Sequence, residues 1–488
     1  MIWRWCYVRI PTKEPGPSRF DPVVLPVVGL CSVDMWSQHT HEPSNDVFWR
    51  KPTEYIELAS ACGRGDAERM MAVGVMLIVV PLVSSRAPEC RPGSLHNHVP
   101  GGQVKRVSES SPRFLLRTLA DGRRSDKSDG VDLALFGVGW ILGWLLLWRP
   151  RPLPPLPPLP PVSSHDAVSV ERPSLAIVIP ARNEANALPH LLPGLTAQMR
   201  SGDQLVVVDD HSDDDTSDVA TRFGAQVVHP PALPDGWLGK PHACWHGARS
   251  TTAPLLLFVD ADVRPAPDLL DRIASAWSAD PGTVVSVQPW HQTASWVEQA
   301  SLLANVTALM GSGGFTLAGA RFAPTVAFGP VLAIGRATYD EIDGHAAVRK
   351  MHTEDIGLAQ LVGRSTLYSG RPDTSFRMYP DGLRQLVQGW TRSIATGTRF
   401  TPWWLSLAVA FWVWSLAGGW IAEPLVYPLS AVQFWVLGRR TGSMHPVTAL
   451  LYPLAVLVFV WIFLRSLVAM VFRREVTWKQ RSIAARPE

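Results

Sequence analysis

The chain is 488 residues long, room for two to four domains at about 100–200 residues each, and carries a formal net charge of +3. Only 18% of its residues are charged, against a typical ~25%, and its mean hydropathy is +0.07. This composition excludes a disordered chain, a collagen and a disulfide-dense mini-domain, argues against a purely soluble enzyme, and leaves a positive charge too mild to be a nucleic-acid footprint.

Twelve of the 21 tryptophans fall in 131–150 or 390–488, the clustering expected of membrane-interface belts. The five cysteines (Cys6, Cys31, Cys62, Cys90 and Cys244) are odd in number and form no C-x-x-C. Neither a zinc site nor a redox dithiol is supported, and a reducing, cytosol-facing main domain is expected. Residues 1–130 hold neither a 3.6 nor a 2.0 period, and their one apolar run, Met71 to Val83, is short for a bilayer. They read as a poorly ordered extension or a start site placed too early, with a small accessory domain as the alternative.

From Val131 the texture changes. Leu133 to Trp148 is uncharged and ends at Arg149 and Arg151, so 131–149 reads as one transmembrane helix with its C-terminal end facing the cytoplasm. A Pro-rich linker, 150–171, opens with PRPLPPLPPLPPV and reads as a stiff stalk off the membrane. In 172–400, apolar runs such as SLAIVIP, QLVVVDD and LLLFVDAD alternate with helical patterns. That alternation predicts βαβ units and a mainly parallel sheet, with functional loops at the carboxyl ends of the strands.

An amphipathic interfacial helix is expected near 382–396. Residues 401–472 then give two to three membrane spans: 401–422 and 446–464 read as complete, while 424–438 is short, holds two prolines and suits a re-entrant segment. The loop GRRTG and the basic tail 473–488 both prefer the cytoplasm. Three complete crossings cannot place both there, and the sequence leaves that conflict open.

Six constellations carry chemistry. PARNE, Pro180 to Glu184, follows a strand and is weak alone. In VVVDDHSDDDT, Ser212 and Asp215 read as a capping box, and the neighbouring acids favour a helix N-terminus. Asp209 and Asp210 end the strand and suit hydrogen bonds to a nucleobase or ribose. Asp260 and Asp262 of FVDAD project to one side of an extended segment; such carboxylates call for Mg2+ or Mn2+ bridging a diphosphate. In HTEDIG, Glu354 and Asp355 open a helix that Thr353 is positioned to cap, and a carboxylate of this pair is a candidate general base. Lys240 of GWLGK is a point charge for phosphate. In QGWTR, Trp390 reads as an interfacial anchor or Arg392 as a diphosphate contact. His211 and His242 show no ligand spacing and read as surface residues.

The order PARNE, DD, DAD, TED and QGWTR resembles glycosyltransferase family 2 with its GT-A nucleotide-sugar fold, over about residues 172–400. The flanking apolar segments resemble the membrane branch that glycosylates carotenoid acids of the diaponeurosporenoate type. The resemblance implies that Pro180, Arg182, Glu184 and Asp210 hold the nucleotide, and the residues taken by themselves add Asp209, Lys240, Asp260 and Arg392 as donor contacts. It implies that Asp260 and Asp262 hold Mg2+ or Mn2+, with Asp262 the better ligand, and that Asp355 is the catalytic base. Processive relatives carry Q-x-x-R-W where this chain has Gln388-Gly389-Trp390-Thr391-Arg392, which argues against polymer synthesis.

The resulting expectation is an inverting, multi-pass enzyme of the cell membrane with its catalytic domain facing the cytoplasm. It would move a hexose from a nucleotide-sugar donor, UDP-glucose foremost, to a lipid acceptor, a carotenoid acid foremost, without nucleic acid as a partner. Polyprenyl phosphate, hopanoid and glycolipid acceptors are the same-class rivals. A sugar nucleotidyltransferase would need a Gly-rich, basic loop in place of PARNE, and a membrane scaffold would not need Asp260, Asp262 and Asp355 together.

Overall fold

The computed structural model describes residues 127–156, 172–319, 325–422, 424–471, 475–478 and 481–484. The expectation for 1–130 therefore lies outside the described residues apart from its last four. In chain order, α1 (Lys127–Leu146) precedes β1 (Leu175–Ala181), α2 (Leu188–Thr196), β2 (Gln204–Asp209), α3 (Thr216–Arg222), β3 (Gln226–Val228) and α4 (Gly239–Arg249). β4 (Leu255–Val259), β5 (Val263–Arg264), α5 (Leu269–Ser278), β6 (Val284–Gln288), β7 (Trp290–His291), α6 (Leu302–Gly311) and β8 (Val331–Gly335) follow. The chain continues through α7 (Glu354–Val362), β9 (Ser365–Ser369), β10 (Ser375–Phe376) and α8 (Leu383–Gly397). It then runs through α9 (Trp403–Ala422), α10 (Val426–Thr441), α11 (Pro446–Leu450) and α12 (Tyr452–Val471).

A seven-stranded sheet in the order β3-β2-β1-β4-β8-β6-β9 forms the body. All its pairings are parallel except those of β8, which runs antiparallel to both β4 and β6. Both faces are covered, so the central strands read as unbroken apolar runs rather than alternating ones. Leu175, Ile177 and Ile179 of β1 join the core beneath α2 and α5. Ala176 and Val178 face the opposite way, toward α4, as the two-residue period of a strand requires. Gly247 brings α4 against the sheet: a Cβ there would stand 2.3 Å from Val178 and 2.8 Å from Val208. A smaller sheet, β5-β10-β7, flanks this body.

The first residues of the Pro-rich segment are not a free stalk. Leu153 is buried in the core beside the sheet, Arg272 donates from Nη2 to the Leu153 carbonyl (2.6 Å) and from Nε to that of Pro154 (3.1 Å), and the Ser369 amide donates to the Arg151 carbonyl (2.7 Å). A segment of prolines lacks amide donors but keeps its carbonyls, and here those carbonyls are what the domain binds. Residues 157–171 lie outside the described residues.

The apolar helices pack into a second layer with its own core, built from Leu147, Trp412, Leu416, Phe434, Leu437 and Tyr452 among others. Among the described residues one helix, over Tyr452–Ala469, is long and apolar enough to cross a membrane, with a mean hydropathy of 2.0. The apolar stretches Leu133–Leu146 and Trp403–Gly418 are shorter, so length and composition support one span where several were expected. α1 and α9 cross closely, with Gly139 against Ser415 and Gly143 against Trp412.

Contacts fix the direction of each helix. Arg440 at the end of α10 donates to the carbonyls of Leu147 and Trp148 (both 3.1 Å) just past α1. The next turn is clamped to the sheet domain: the Ser443 amide donates to the His291 carbonyl (2.9 Å) and the Thr293 amide to Ser443 Oγ (2.7 Å). The short α11 then returns the chain beside the start of α10, where the Tyr427 and Tyr452 rings lie 5.0 Å apart. From there α12 runs back toward α8, where Ser466 Oγ donates to the Thr391 carbonyl (2.8 Å). Both α10 and α12 therefore end at the sheet domain.

Candidate active site

The carboxyl ends of β1, β2 and β4 bring the first motifs together. After β1 the chain turns at Asn183, whose φ of 54° lies in the left-handed region that asparagine tolerates better than most residues. Its amide donates to Ser212 Oγ (2.9 Å), and its side-chain oxygen accepts from the Asp213 amide (2.8 Å). The amides of Glu184 and Ala185 donate to Thr216 Oγ1 (2.9 Å) and Asp214 Oδ2 (3.1 Å). Ser212 and Asp215 thus form no capping box: Asp215 makes no side-chain cap, and Asp214 accepts from the Thr216 amide instead (3.1 Å). The serine and threonine hydroxyls sew the two loops to each other.

Asp209 and Asp210 differ in their surroundings. Asp209 accepts from the Ser212 amide (2.9 Å) and from Ser217 Oγ, so both its oxygens hold the turn into α3. Asp210 extends the ladder by donating its amide to the Ala181 carbonyl (2.8 Å). Arg182 Nη1 donates to the Asp210 carbonyl (2.7 Å) and stands 4.0 Å from its carboxylate. Pro180 sits in β1 opposite Val208.

β4 delivers Asp260 and Asp262. Lys240, at the start of α4, joins Asp260 (Nζ to Oδ1 2.8 Å) to Glu354 at the start of α7 (Nζ to Oε1 3.0 Å). Burial opposes the charge of Lys240, but Asp260 and Glu354 outweigh it and hold the amine well above its ordinary pKa. Lys240 is thus bound to carboxylates where a phosphate contact was expected. Gly329 permits this closeness: a Cβ there would stand 3.1 Å from Asp355 Oδ2 and 3.2 Å from Lys240 Nζ.

Desolvation by surrounding protein, then Asp260 and Glu184, pushes the Asp262 carboxyl up to about 7. Desolvation and then Glu354 push Asp355 up to about 7 as well. Asp355 Oδ1 accepts from the next amide, that of Ile356 (2.9 Å), and Thr353 places no side-chain cap on α7.

α8 spans the range expected for the amphipathic helix, but Trp390 is not a surface anchor. It is buried, and its Nε1 donates to Ser301 Oγ (2.6 Å). Arg392, one turn beyond Gly389, is half-buried. That burial lowers its pKa against the attraction of Tyr379, Glu354 and Asp260, so the guanidinium lies within electrostatic reach of the acidic cluster. His242 is buried as well, its Nε2 3.1 Å from that of His246, where a surface residue was expected.

The donor set fits a divalent metal shared with a substrate. Glu184, Asp260, Asp262, Glu354 and Asp355 outnumber the cations beside them, and two of these acids hold protons up to about pH 7. Among the described residues no group of three or more His, Cys, Asp or Glu side chains closes around a metal. A hard cation held by one or two carboxylates, with substrate phosphates and water completing its shell, matches that set. Glu354 as the partner of Lys240, together with Gly329 and Tyr379, was not foreseen from the motifs. The first was visible only as an acid beside Asp355; the other two carried no motif at all.

The model of "Glycosyl transferase family 2" matches residues 176–356. A 4,4'-diaponeurosporenoate glycosyltransferase of Staphylococcus aureus (strain MRSA252) is 30% identical over 315 residues, covering 60% of this chain and 84% of that protein. The protein of the same name in Staphylococcus haemolyticus (strain JCSC1435) is 29% identical over 334 residues, covering 64% and 88%. Among solved structures, a mannosyltransferase of Pyrobaculum calidifontis in complex with GDP-Man and Mn2+ aligns with a TM-score of 0.42 at 20% identity, over 71% of this chain and 98% of that one.

Proposed function

The chain belongs to glycosyl transferase family 2 and is a glycosyltransferase, and from that premise we propose that it transfers a hexose from a nucleotide-diphosphate donor, UDP-glucose foremost, to a carotenoid carboxylic acid, with inversion at the sugar. The observation that carries the reading is the acidic cluster at the strand ends, in which Lys240 ties Asp260 to Glu354 beside Asp262 and Asp355. The name shared by the relatives supports the acceptor class. The exposed apolar residues of the helical layer, Trp403, Trp404, Trp435 and Trp461 among them, support a membrane location. Arg149, Arg151, Arg439 and Arg440 at the catalytic end favour a cytoplasmic catalytic domain.

In this reading Arg182 and Asp210 receive the nucleoside, Asp260 and Asp262 present their carboxylates to a metal, and Arg392 meets the diphosphate. Bound there, Mg2+ or Mn2+ would neutralise charge on the departing diphosphate. The acceptor oxygen forms its bond to the anomeric carbon as the bond to the diphosphate oxygen breaks, and that electron pair leaves with the nucleotide. Asp355 takes the proton of a hydroxyl acceptor; an acid acceptor arrives ionised and leaves Asp355 to orient it. The test incubates purified enzyme, Mn2+ and radiolabelled UDP-glucose with a carotenoid acid, a polyprenyl phosphate and a hopanoid in parallel. A labelled glucosyl ester of the carotenoid acid is the expected product. Label on either other lipid alone would overturn the acceptor, and label on none, with other nucleotide sugars tried, the donor as well.

A further inference from the structure

Tyr379 lies between β10 and α8 with φ of 59°, in the left-handed region that a residue with a Cβ rarely adopts and that gathers at functional sites. Its ring lies directly on the backbone of α8 at Gly389. A Cβ at 389 would stand 2.2 Å from Tyr379 Cε1 and 2.6 Å from both Cζ and the hydroxyl oxygen. The ring also meets Trp390 edge-on, with centroids 6.1 Å apart, and its hydroxyl is hydrogen-bonded to Ser393. Gly389, Arg392 and Ser393 share one face of the helix, since residues three and four apart are neighbours. Burial, then Arg392 and Asp262, govern the phenol, whose pKa stays above its ordinary value. The ring is therefore a neutral wedge, within the electrostatic reach of both the half-buried Arg392 guanidinium and the Asp262 carboxylate.

We propose that Tyr379 is a positioning residue: seated on Gly389, its ring sets the height of α8 over the acidic cluster and so fixes Arg392 where the donor diphosphate binds. This rests on the proposed role of Arg392 toward that diphosphate. It also explains a sequence feature, the glycine between Gln388 and Trp390, which costs helix propensity and is required only if a ring must touch the backbone. The remaining faces of α8 are pinned independently, by Trp390 to Ser301 and by the Thr391 carbonyl to Ser466 of α12. The wedge therefore adjusts a helix that is otherwise fixed.

The readout is discrimination between two ligands that differ by one phosphate. Calorimetry on the full-length enzyme in detergent with Mn2+ compares UDP with UMP. Because a hydrogen bond to a charged group is worth a factor of about ten or more, Arg392→Gln should lower the UDP/UMP affinity ratio by about tenfold. Gly389→Ala, which drives a methyl into the ring, should lower it to the same extent, with UMP affinity nearly kept and a lower unfolding temperature. Tyr379→Phe, which keeps the ring, should retain most of the ratio. In the double variant Gly389→Ala/Tyr379→Ala the added methyl occupies the vacated space, and thermal stability should recover while the ratio stays low.

A normal ratio in a folded Gly389→Ala enzyme, with the ratio lost in Arg392→Gln, would overturn the wedge and leave the role of Arg392 standing. A normal ratio in Arg392→Gln would overturn both. If Gly389→Ala fails to fold, Tyr379→Leu decides by the same ratio: a normal value overturns the proposal, and a tenfold fall with UMP binding kept upholds it.

Discussion

Asp355 carries opposite consequences for stability and for catalysis. Its folded pKa, about 7, lies above the ordinary value of 3.8, so the folded chain holds this proton more tightly than the unfolded one. The resulting penalty is absent below about pH 4 and complete above about pH 7, and stability falls as pH rises through that window. Asp355→Asn should therefore melt at a higher temperature than the parent near pH 8 and at the same temperature near pH 4, by thermal unfolding of ligand-free protein. The same variant should lose about 10²–10⁴-fold in transfer to a hydroxyl acceptor but less than about tenfold to the matching carboxylic acid, which needs no base. Equal fractional losses on both acceptors would leave Asp355 as an orienting residue alone. At Asp262 the expected outcome is simpler: Asp262→Ala abolishes metal-dependent binding of UDP, followed by calorimetry, with an unchanged fold by circular dichroism. Transfer that continues undiminished in chelator would defeat the metal role.

α1 shows what a sequence discloses about an element and what it withholds. Gly139 and Gly143 are four residues apart, the small-residue spacing that lets two helices approach closely, and they stand where Ser415 and Trp412 of α9 cross. A Cβ at 143 would lie 2.3 Å from Trp412 Nε1 and 2.9 Å from Gln433 Nε2. Those groups already hydrogen-bond, Trp412 to Gln433 (2.9 Å) and Gln433 to the Trp140 carbonyl (2.5 Å). Gly143→Leu should therefore cost at least about 1–3 kcal/mol, read as a lower unfolding temperature in detergent. Gly137, with nothing within 4 Å, is the control, and Gly137→Ala should be neutral or stabilising by up to about 1 kcal/mol. The spacing was legible in the sequence, but its partner was not. The strands repeat that lesson: LAIVIP, QLVVVD and LLLFV announced β1, β2 and β4 because both of their faces are buried. Nothing in VLAIG announced that β8 would insert antiparallel between β4 and β6. A run of apolar residues specifies burial, whereas direction and neighbour depend on contacts far away in the chain. At the site, Asp260 and Asp262 were visible through the two-residue strand period, but the Lys240–Glu354 ion pair joins residues 114 positions apart and has no local signature.

Across the whole molecule, two basic segments and an odd number of apolar stretches pose a conflict, and under the proposed membrane location the path of the chain offers a way to place both segments on one side. α9 leaves the catalytic domain and α10 returns to it, where Arg440 and Ser443 are held. The next outward leg is the five-residue α11 rather than a long helix, and α12 then runs back to Thr391. Arg439, Arg440 and the last turns of α12 thus lie at the catalytic end together, the arrangement the positive-inside rule favours for the proposed cytoplasmic catalytic domain. Leu425, between α9 and α10 at the opposite end, is 77% exposed, as suits a turn at or beyond the far side of the bilayer. A membrane-impermeant maleimide applied to intact cells should therefore label Leu425→Cys, the nearest native thiol among the described residues being the buried Cys244. A tag fused after Glu488 should stay protected from external protease until the cells are opened. α10, at 16 residues and about 1.5 Å each, reaches ~24 Å, short of the ~30 Å of a typical hydrocarbon core. Labelling at 425 therefore requires local thinning of the bilayer or a tilted, longer path through α9. If Leu425→Cys stays unlabelled in intact cells but reacts in opened ones, α9 and α10 are a wedge in one leaflet and only α12 is long enough to cross. The apolar acceptor would then reach Asp355 from the leaflet that holds the wedge.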